Sequence, residues 1–417
     1  MATTTIPWGD GSGDNIYLTY SASQGDQTVL VSSDANAGST DRTKTITFTA
    51  SHHGTTDTKT LTVVQEGVPE PYIVFADPSV EAICATKWGD GVGIKPSQAA
   101  QVTSIANAFN GNTGITSFDE FRYFTGITSM GSAFRNSSLT KITFPPGLKA
   151  TNGGAAWGFL FNGCSSLEEI DFSDFIRLPV AAGSQLQWFG GCTSLAIIRY
   201  DSFESFFSCI INRYMASDIP FAASTAAAHY LFIGGVELRD VSIPSSYSAI
   251  PGGAFLKCDR ITSVYIPSSV TSIGSYAFSR CSSLSSITMS ANITSIEGNT
   301  FDFCTSLTSF VVPEGVTTIG GQAFRGCTSL TYLEISSTVT SIATYVFYQV
   351  GTTTDKTTFV IKATTPPNLA NANSFTANRI NKIYVPNGTL SAYQTASNWS
   401  NFASYMAELD ANGNIPT

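Results

Sequence analysis

"AFRGCTSLTYLEISSTVTSI", Ala323–Ile342, decides the reading of this chain. Twenty-three residues earlier stands "TFDFCTSLTSFVVPEGVTTI", Thr300–Ile319. Two further copies precede it at the same interval, "AFSRCSSLSSITMSANITSI" from Ala277 and "AFLKCDRITSVYIPSSVTSI" from Ala254. Each phrase carries a Phe, a Cys, then Leu and Ile or Val at strand-like spacing, then Val or Ile again. Almost nothing in it could do acid–base or nucleophilic chemistry.

Phe232, Phe255, Phe278, Phe301, Phe324 and Phe347 stand 23 residues apart. A fixed period of 20–30 with this apolar spacing is the signature of a leucine-rich-repeat solenoid. The unit reads A-F-x-x-C-x-S-L-x-x-I-x-I-P-x-x-V-T-S-I-G. Its L-x-x-I-x-I segment predicts a short strand whose alternate residues face one side. "PSSV", "PEGV" and "SSTV" turn the chain, and "TSIG" returns it. One coil cannot bury its own apolar residues, so stacked coils bury them against each other beneath a parallel sheet. Earlier coils are looser: Phe109, Phe134, Phe161 and Phe189 are 25, 27 and 28 apart. The 43-residue step from Phe189 to Phe232 predicts an insertion or a degenerate coil over 201–231, with Phe203, Phe206, Phe207, Tyr214 and Phe221.

"AFSRCSSLSSI", "AFLKCDRITSVYIPSSVTSIG" and "AFRGCTSLTYLEI" resemble the BspA-like leucine-rich repeats of gut Bacteroidetes surface proteins. The resemblance implies a ligand-binding or adhesive surface protein rather than an enzyme. It names no ligand.

The expected fold is mainly β with an α/β solenoid: an N-terminal β-sandwich, then a leucine-rich-repeat solenoid of about 23-residue repeats. The sandwich is placed at 1–69, where "NIYLTYSA", "QTVLVSSDA", "KTITFTAS" and "TKTLTVVQEG" are β-rich runs between Gly, Asp and Ser turns. "SSDANAGSTDRTKTITFTA" and "KTLTVVQEG" resemble BACON-type immunoglobulin-like domains, which implies a spacer or accessory binding module. Residues 70–101 are expected to form the helical N-cap that covers the first coil. The solenoid proper runs over 102–386. Residues 387–417 are expected to end it with an amphipathic helix presenting Trp399, Phe402, Met406 and Leu409 on one face.

Charged residues are only 12% of the chain, about half the usual share, so Ser, Thr, Asn and Gly must supply the polar surface. A net charge of −9 argues against nucleic acid as a partner. No apolar run reaches membrane-spanning length. The opening "MATTTIPWGDGSG" has neither a basic n-region nor an apolar h-region, so no signal peptide is expected in it. The expected location is extracellular or on the cell surface, with a phage virion as the alternative.

Six of the eight cysteines, Cys164, Cys192, Cys258, Cys281, Cys304 and Cys327, share one repeat slot; Cys84 and Cys209 do not. A column of small buried residues is the expected role, since buried Cys behaves as a small hydrophobe. His52 and His53 fall in a hairpin loop, "ASHHGTT", and His229 in the insertion. No H-x-x-H, G-x-S-x-G, G-x-x-x-x-G-K-[ST] or G-x-G-x-x-G motif is present, and neither catalysis nor a cofactor is expected. Relatives of the N-cap carry a calcium-type loop. With Gly93 at that loop's glycine, Trp88, Asp90 and Val92 fall at its first ligand positions, which predicts a plain turn. "DGSGDN" (Asp10, Ser12, Asp14) and "DANGN" (Asp410, Asn412, Asn414) are likewise expected to be turns, and no metal site is expected.

The residues flanking the middle apolar position of each strand should face solvent in two columns. One runs Lys141, Glu169, Ile197, Asp240, Ser263, Ser286, Ser309, Tyr332. The other runs Thr143, Asp171, Arg199, Ser242, Tyr265, Thr288, Val311, Glu334. The candidate ligand-binding residues are Lys141, Glu169, Asp171, Arg199, Asp240, Tyr265 and Tyr332, with Glu169, Asp171, Arg199 and Asp240 expected on neighbouring rungs. The expected partner is a host or matrix protein or a glycan.

Overall fold

The computed structural model describes residues 2–10, 12–20, 30–34, 36, 41–52, 55–66, 69–148, 158–172, 189–210, 221, 223–226, 228–233 and 235–416. The chain divides into two units, Met1–Ile73 and Val74–Thr417.

In the first unit every described strand pairs antiparallel. Strands β1 (Ala2–Pro7), β2 (Asn15–Tyr20) and β3 (Leu30–Ser33) form one sheet, and β4 (Arg42–His52) and β5 (Thr55–Gln65) form a hairpin. Alternation along β2 turns Ile16 and Leu18 inward, where they bury with Trp8 and Ile46. Ile6, Phe48 and Val63 pack on that core. The "DGSGDN" stretch is held by an arginine. Arg42 Nη1 lies 2.8 Å from Asp14 Oδ2 and 3.4 Å from Asp10 Oδ2, and donates to Ser12 Oγ at 3.1 Å. Its guanidinium sits 4.6 Å over the Trp8 ring. The side chains of His52 and His53 lie outside the described residues.

The second unit opens on two helices, α1 (Pro78–Lys87) and α2 (Pro96–Gln101). Pro78 can start α1 because the first helical N–H needs no intrahelical partner. The Asp77 carboxylate caps α1 by accepting from Ser79 N and Val80 N. Its other oxygen accepts from Thr116 N at 2.7 Å, Thr116 Oγ1 and Ser117 N. One buried carboxylate thus ties the helix start to an early coil. Trp88 packs on Phe109, with ring centroids 6.3 Å apart, and edge-on to Phe124. The 88–93 segment is a turn in which Asp90 Oδ1 accepts from Val92 N and Gly93 N.

The coils follow. Strands β6 (Lys141–Thr143), β7 (Glu169–Phe172), β8 (Ile197–Tyr200) and β9 (Tyr230–Ile233) are parallel, with helix α3 (Phe203–Ile210) inserted between β8 and β9. A short antiparallel strand, β10 (Val236–Glu237), closes this sheet on β9. A second parallel sheet holds β11 (Asp240–Ser242), Ser263–Tyr265 and Ser286–Thr288. A third runs from Ser309–Val311 through Tyr332–Ile335, Thr357–Ile361 and Ile380–Val385 to Met406–Glu408. Two-residue return strands pair in parallel elsewhere on the coil, such as Ser295–Ile296 with Thr318–Ile319.

Inside, identical slots stack on identical slots. Phe255 and Phe278 lie 5.2 Å apart at 6°, Phe278 and Phe301 5.8 Å apart at 5°. The stack continues through Phe324 and Phe347. An earlier ladder joins Phe109, Phe134 and Phe161. The cysteines of the shared slot are buried, and most donate their S–H backwards: Cys281 to Phe255 O, Cys304 to Phe278 O, Cys327 to Phe301 O, all within 3.2 Å. Cys164 and Cys192 repeat the bond to Phe134 O and Phe161 O. The thiol is therefore both a small apolar filler and a weak donor to a carbonyl of the preceding coil. Hydroxyls do the same at the surface: Thr262 donates to Arg239 O, Ser285 to Thr262 O and Thr331 to Thr308 O. Such ladders let Ser and Thr replace charge as the polar component.

Burial pushes the Cys164, Cys258, Cys281, Cys304 and Cys327 thiols up from their ordinary value, so little thiolate is available for oxidation. The seven described cysteines should stay unreactive to a thiol reagent in the native protein. After denaturation without reductant, all seven should react. Finding three or more disulfides would overturn the stacked column.

Two expectations are corrected. Phe232 does not belong to the phenylalanine ladder; it stands on β9 opposite Arg199, half-exposed. Its 23-residue offset from Phe255 is coincidental. The insertion supplies the aromatic core there instead: Phe206 and Phe207 of α3 pack against Phe255, and Phe221 is buried against the His229 ring. Tyr214 lies outside the described residues. The C-terminal amphipathic helix is also absent. Trp399, Phe402, Met406 and Leu409 are all buried, but Trp399 and Phe402 lie on a 3-10 turn (Trp399–Tyr405), Met406 on the strand Met406–Glu408 and Leu409 just after it; helix α4 (Leu390–Thr395) carries none of the four. Trp399 Nε1 donates to Pro367 O and Tyr393 OH to Ala363 O, so the last segment answers buried carbonyls at the solenoid end as well as apolar surface. Among the described residues no helix is long and apolar enough to cross a membrane.

Candidate ligand-binding surface

Strand pleating sends alternate residues to opposite faces, and the parallel register aligns them across coils. Lys141 pairs in register with Glu169, and Glu169 with Ile197. Thr143, Asp171, Arg199 and Phe232 form the companion row. Lys141, Glu169, Asp171 and Arg199 therefore share one face of three adjacent strands. Glu169 sits between two cations: Arg199 Nε is 2.8 Å from its Oε1 and Lys141 Nζ 3.6 Å from its Oε2. The Arg199 guanidinium also lies 4.1 Å over the Phe232 ring. Held on both sides, Arg199 has less rotamer freedom to lose on binding than an isolated surface arginine.

Asp240 is not a neighbour of Arg199. The β9–β10 hairpin stands between them, and Asp240 begins the second sheet. Its carboxylate accepts from Thr262 Oγ1 and Ser263 Oγ, and those hydroxyls, with Arg239 nearby, lower its pKa. Tyr265 is 52% exposed on the same sheet, flanked in register by Ser242 and Thr288. Tyr332 is on the third sheet and donates to Glu334 Oε2 at 2.7 Å. Burial, reinforced by Glu334, pushes its phenol up to about 12. The seven candidates thus form one four-residue cluster and three separate positions.

Sequence reasoning missed Phe232 as the partner of Arg199, because its spacing matched the core ladder. It also missed what converges on His229. Nδ1 lies 2.9 Å from Asp259 Oδ2, and Nε2 lies 3.0 Å from Ser224 Oγ. This is the connectivity of a Ser–His–Asp relay. Its setting is different: Ser224 is 2% exposed and His229 5%. The Ser224 hydroxyl also accepts from Ala226 N, and Asp259 Oδ1 accepts from His229 N. Ser224 Oγ is thus engaged by the imidazole and by a backbone N–H. The network joins Ser224 and His229 to the Asp259 coil, and the 30-residue separation of His229 from Asp259 hid it from any local motif.

These features define a class: a parallel-stranded solenoid of short repeats whose strand face is exposed and whose polar groups are mostly paired between coils. The chain belongs to the BspA-type leucine-rich repeat family. The family profile, described as a BspA type leucine rich repeat region, matches residues 97–209 and 225–353 in six copies. The short stretch between the two matches falls in the insertion. Similar solved structures include a leucine-rich cell surface protein of Faecalibacterium prausnitzii A2-165, 24% identical over 58% of this chain and 65% of that one, with a TM-score of 0.34. The chain thus spans slightly under two thirds of that protein. A leucine-rich repeat protein of Bacteroides ovatus is 16% identical over 94% of this chain and 98% of its own, with a TM-score of 0.40. The pneumococcal vaccine antigen PcpA is 17% identical over 74% and 83%, with a TM-score of 0.37. No curated protein matches the chain.

Proposed function

We propose that this protein is a non-catalytic recognition protein acting outside a cell, that its strand face docks a protein partner, and that its N-terminal unit is a spacer. The observation that carries the reading is the Lys141–Glu169–Arg199 row, backed by Phe232 and flanked by Asp171. A surface that holds both signs of charge in fixed positions suits a partner that also carries both signs, as a protein does. The first unit, with antiparallel sheets around Trp8 and Ile46, suits a small β-sandwich of the BACON type.

The test begins with an array of matrix proteins and glycans to find a ligand. Affinity is then compared for Arg199→Glu, Arg199→Gln and Ser309→Ala. Arg199→Glu sets a third carboxylate beside Glu169 and Asp171 and should cost about 2 kcal/mol or more of binding. Arg199→Gln should cost less, and Ser309→Ala, exposed on the third sheet, should bind as the unaltered protein does. All three should fold, because exposed ion pairs contribute only about 0–1 kcal/mol. Equal affinity for Arg199→Glu and Ser309→Ala removes the site from this row.

A further inference from the structure

A second surface lies on the turn that precedes the phenylalanine slot. Gly253, Tyr276, Asn299, Gln322 and Tyr345 occupy one position of five successive coils, and all have positive φ, between 58° and 67°. Backbone bonds stack them into one row: Gly253 N donates to Ser275 O, Tyr276 N to Gly298 O, Asn299 N to Gly321 O and Gln322 N to Thr344 O. Gly and Asn adopt this left-handed conformation at the lowest cost. Tyrosine does not, yet it stands at two of the five places. Core packing does not require these rings, because Tyr276 is 46% exposed and Tyr345 37%. Backbone strain that supports an exposed side chain is a reason to look for function.

The rest of the row has matching chemistry. Tyr348, also exposed, meets Tyr345 at 90° with ring centroids 5.5 Å apart, forming an aromatic corner. Between the tyrosines, Asn299 Nδ2 donates to Gln322 Oε1 at 2.9 Å, which fixes the orientation of both amides. Asn299 Oδ1 and Gln322 Nε2 take no part in that bond. The adjoining slot is Ser275, Gly298, Gly321 and Thr344, all uncharged; Glu297 is exposed beside it, and Arg325, in the Tyr348 slot one coil earlier, is paired with Asp302 at 2.8 Å. Tyr276 and Tyr345 are three coils apart, about 14 Å at the usual strand spacing.

We propose that this strip binds a neutral polysaccharide lying along the solenoid axis. Tyr276 and the Tyr345–Tyr348 corner stack on the C–H faces of sugar rings. The Asn299 and Gln322 amides exchange hydrogen bonds with the hydroxyls between. A fixed amide pair between exposed aromatic rings fits an uncharged ring with many hydroxyls. The cation beside the strip, Arg325, is already neutralised by Asp302, so the strip offers no unpaired positive charge to favour an anionic ligand. The surface is separate from the Arg199 row, and neither site depends on the other.

The test is native affinity electrophoresis of the full chain through gels that each contain one soluble polysaccharide: mixed-linkage β-glucan, xylan, galactomannan, an α-glucan, or anionic polygalacturonate. At least one neutral polymer should retard the protein, and high salt should not abolish the retardation. The double variant Tyr276→Asn/Tyr345→Asn should lose at least about tenfold in affinity. Its melting temperature should be unchanged or higher, since Asn suits the left-handed turn and already occupies it at position 299. Arg199→Glu should migrate as the unaltered protein. The proposal is overturned if no neutral polymer retards the chain, if only polygalacturonate does, or if the double variant is retained equally.

Discussion

Phe278→Ala should destabilise the second unit by about 3–5 kcal/mol, the usual cost of truncating a buried phenylalanine. Phe278 is fully buried and stacked on both sides, on Phe255 and Phe301 at near-parallel angles. Removing the ring breaks both stacks and opens a cavity in mid-ladder. The backbone there cannot close it, because Phe278 N donates to Thr300 O and Phe278 O accepts the Cys304 thiol. Thr288→Ala is the comparison. Thr288 is exposed on the strand Ser286–Thr288, where changes usually stay within about 0.5 kcal/mol. Denaturant titration of both variants measures the difference. Similar losses at the two positions would mean that the inward and outward faces of the coil are misassigned.

Asp77→Ala should cost about 2–4 kcal/mol, because it removes a helix cap and also leaves the Thr116 and Ser117 N–H groups without their carboxylate. Asp77→Asn keeps the shape but loses the charge and should fall between. The pH dependence has a definite sign. Burial alone would raise the Asp77 pKa, but the N–H groups of Thr116, Ser79, Ser117 and Val80 outweigh it and hold the group below 3.8. A depressed folded pKa means stability that is complete above the unfolded value and lost as pH falls through the folded one. The gap in unfolding free energy between the unaltered protein and Asp77→Asn should be constant near neutrality and shrink below about pH 4. A gap that does not change with pH would show that the ionised carboxylate contributes nothing special there.

The sequence by itself determined the coil. A 23-residue period with Phe, Cys, Leu and Ile in constant slots admits few folds, because each slot can be buried only against its own copy in the next coil. The same logic gave the register of the strand face, so Lys141, Glu169, Asp171 and Arg199 could be placed together from spacing alone. Period counting failed where the chain leaves the period. Phe232 kept the interval but not the environment, since the insertion had already supplied Phe206, Phe207 and Phe221 to the core. The final segment misled for a similar reason: Trp399, Phe402, Met406 and Leu409 fit a helical stripe, but any local conformation that faces them inward satisfies the same burial.

Only the tertiary structure decided the rest. The separation of Asp240 from Arg199 depends on a hairpin that ends one sheet. The His229 network joins residues 30 apart in sequence. The turn of Tyr276 and Tyr345 depends on a sign of φ that side-chain patterning does not encode, although Gly253 and Asn299 in the same slot carry a trace of it. Apolar period reports which residues are buried. It is silent on polar partners, which are chosen by distances of about 3 Å between groups far apart in the chain.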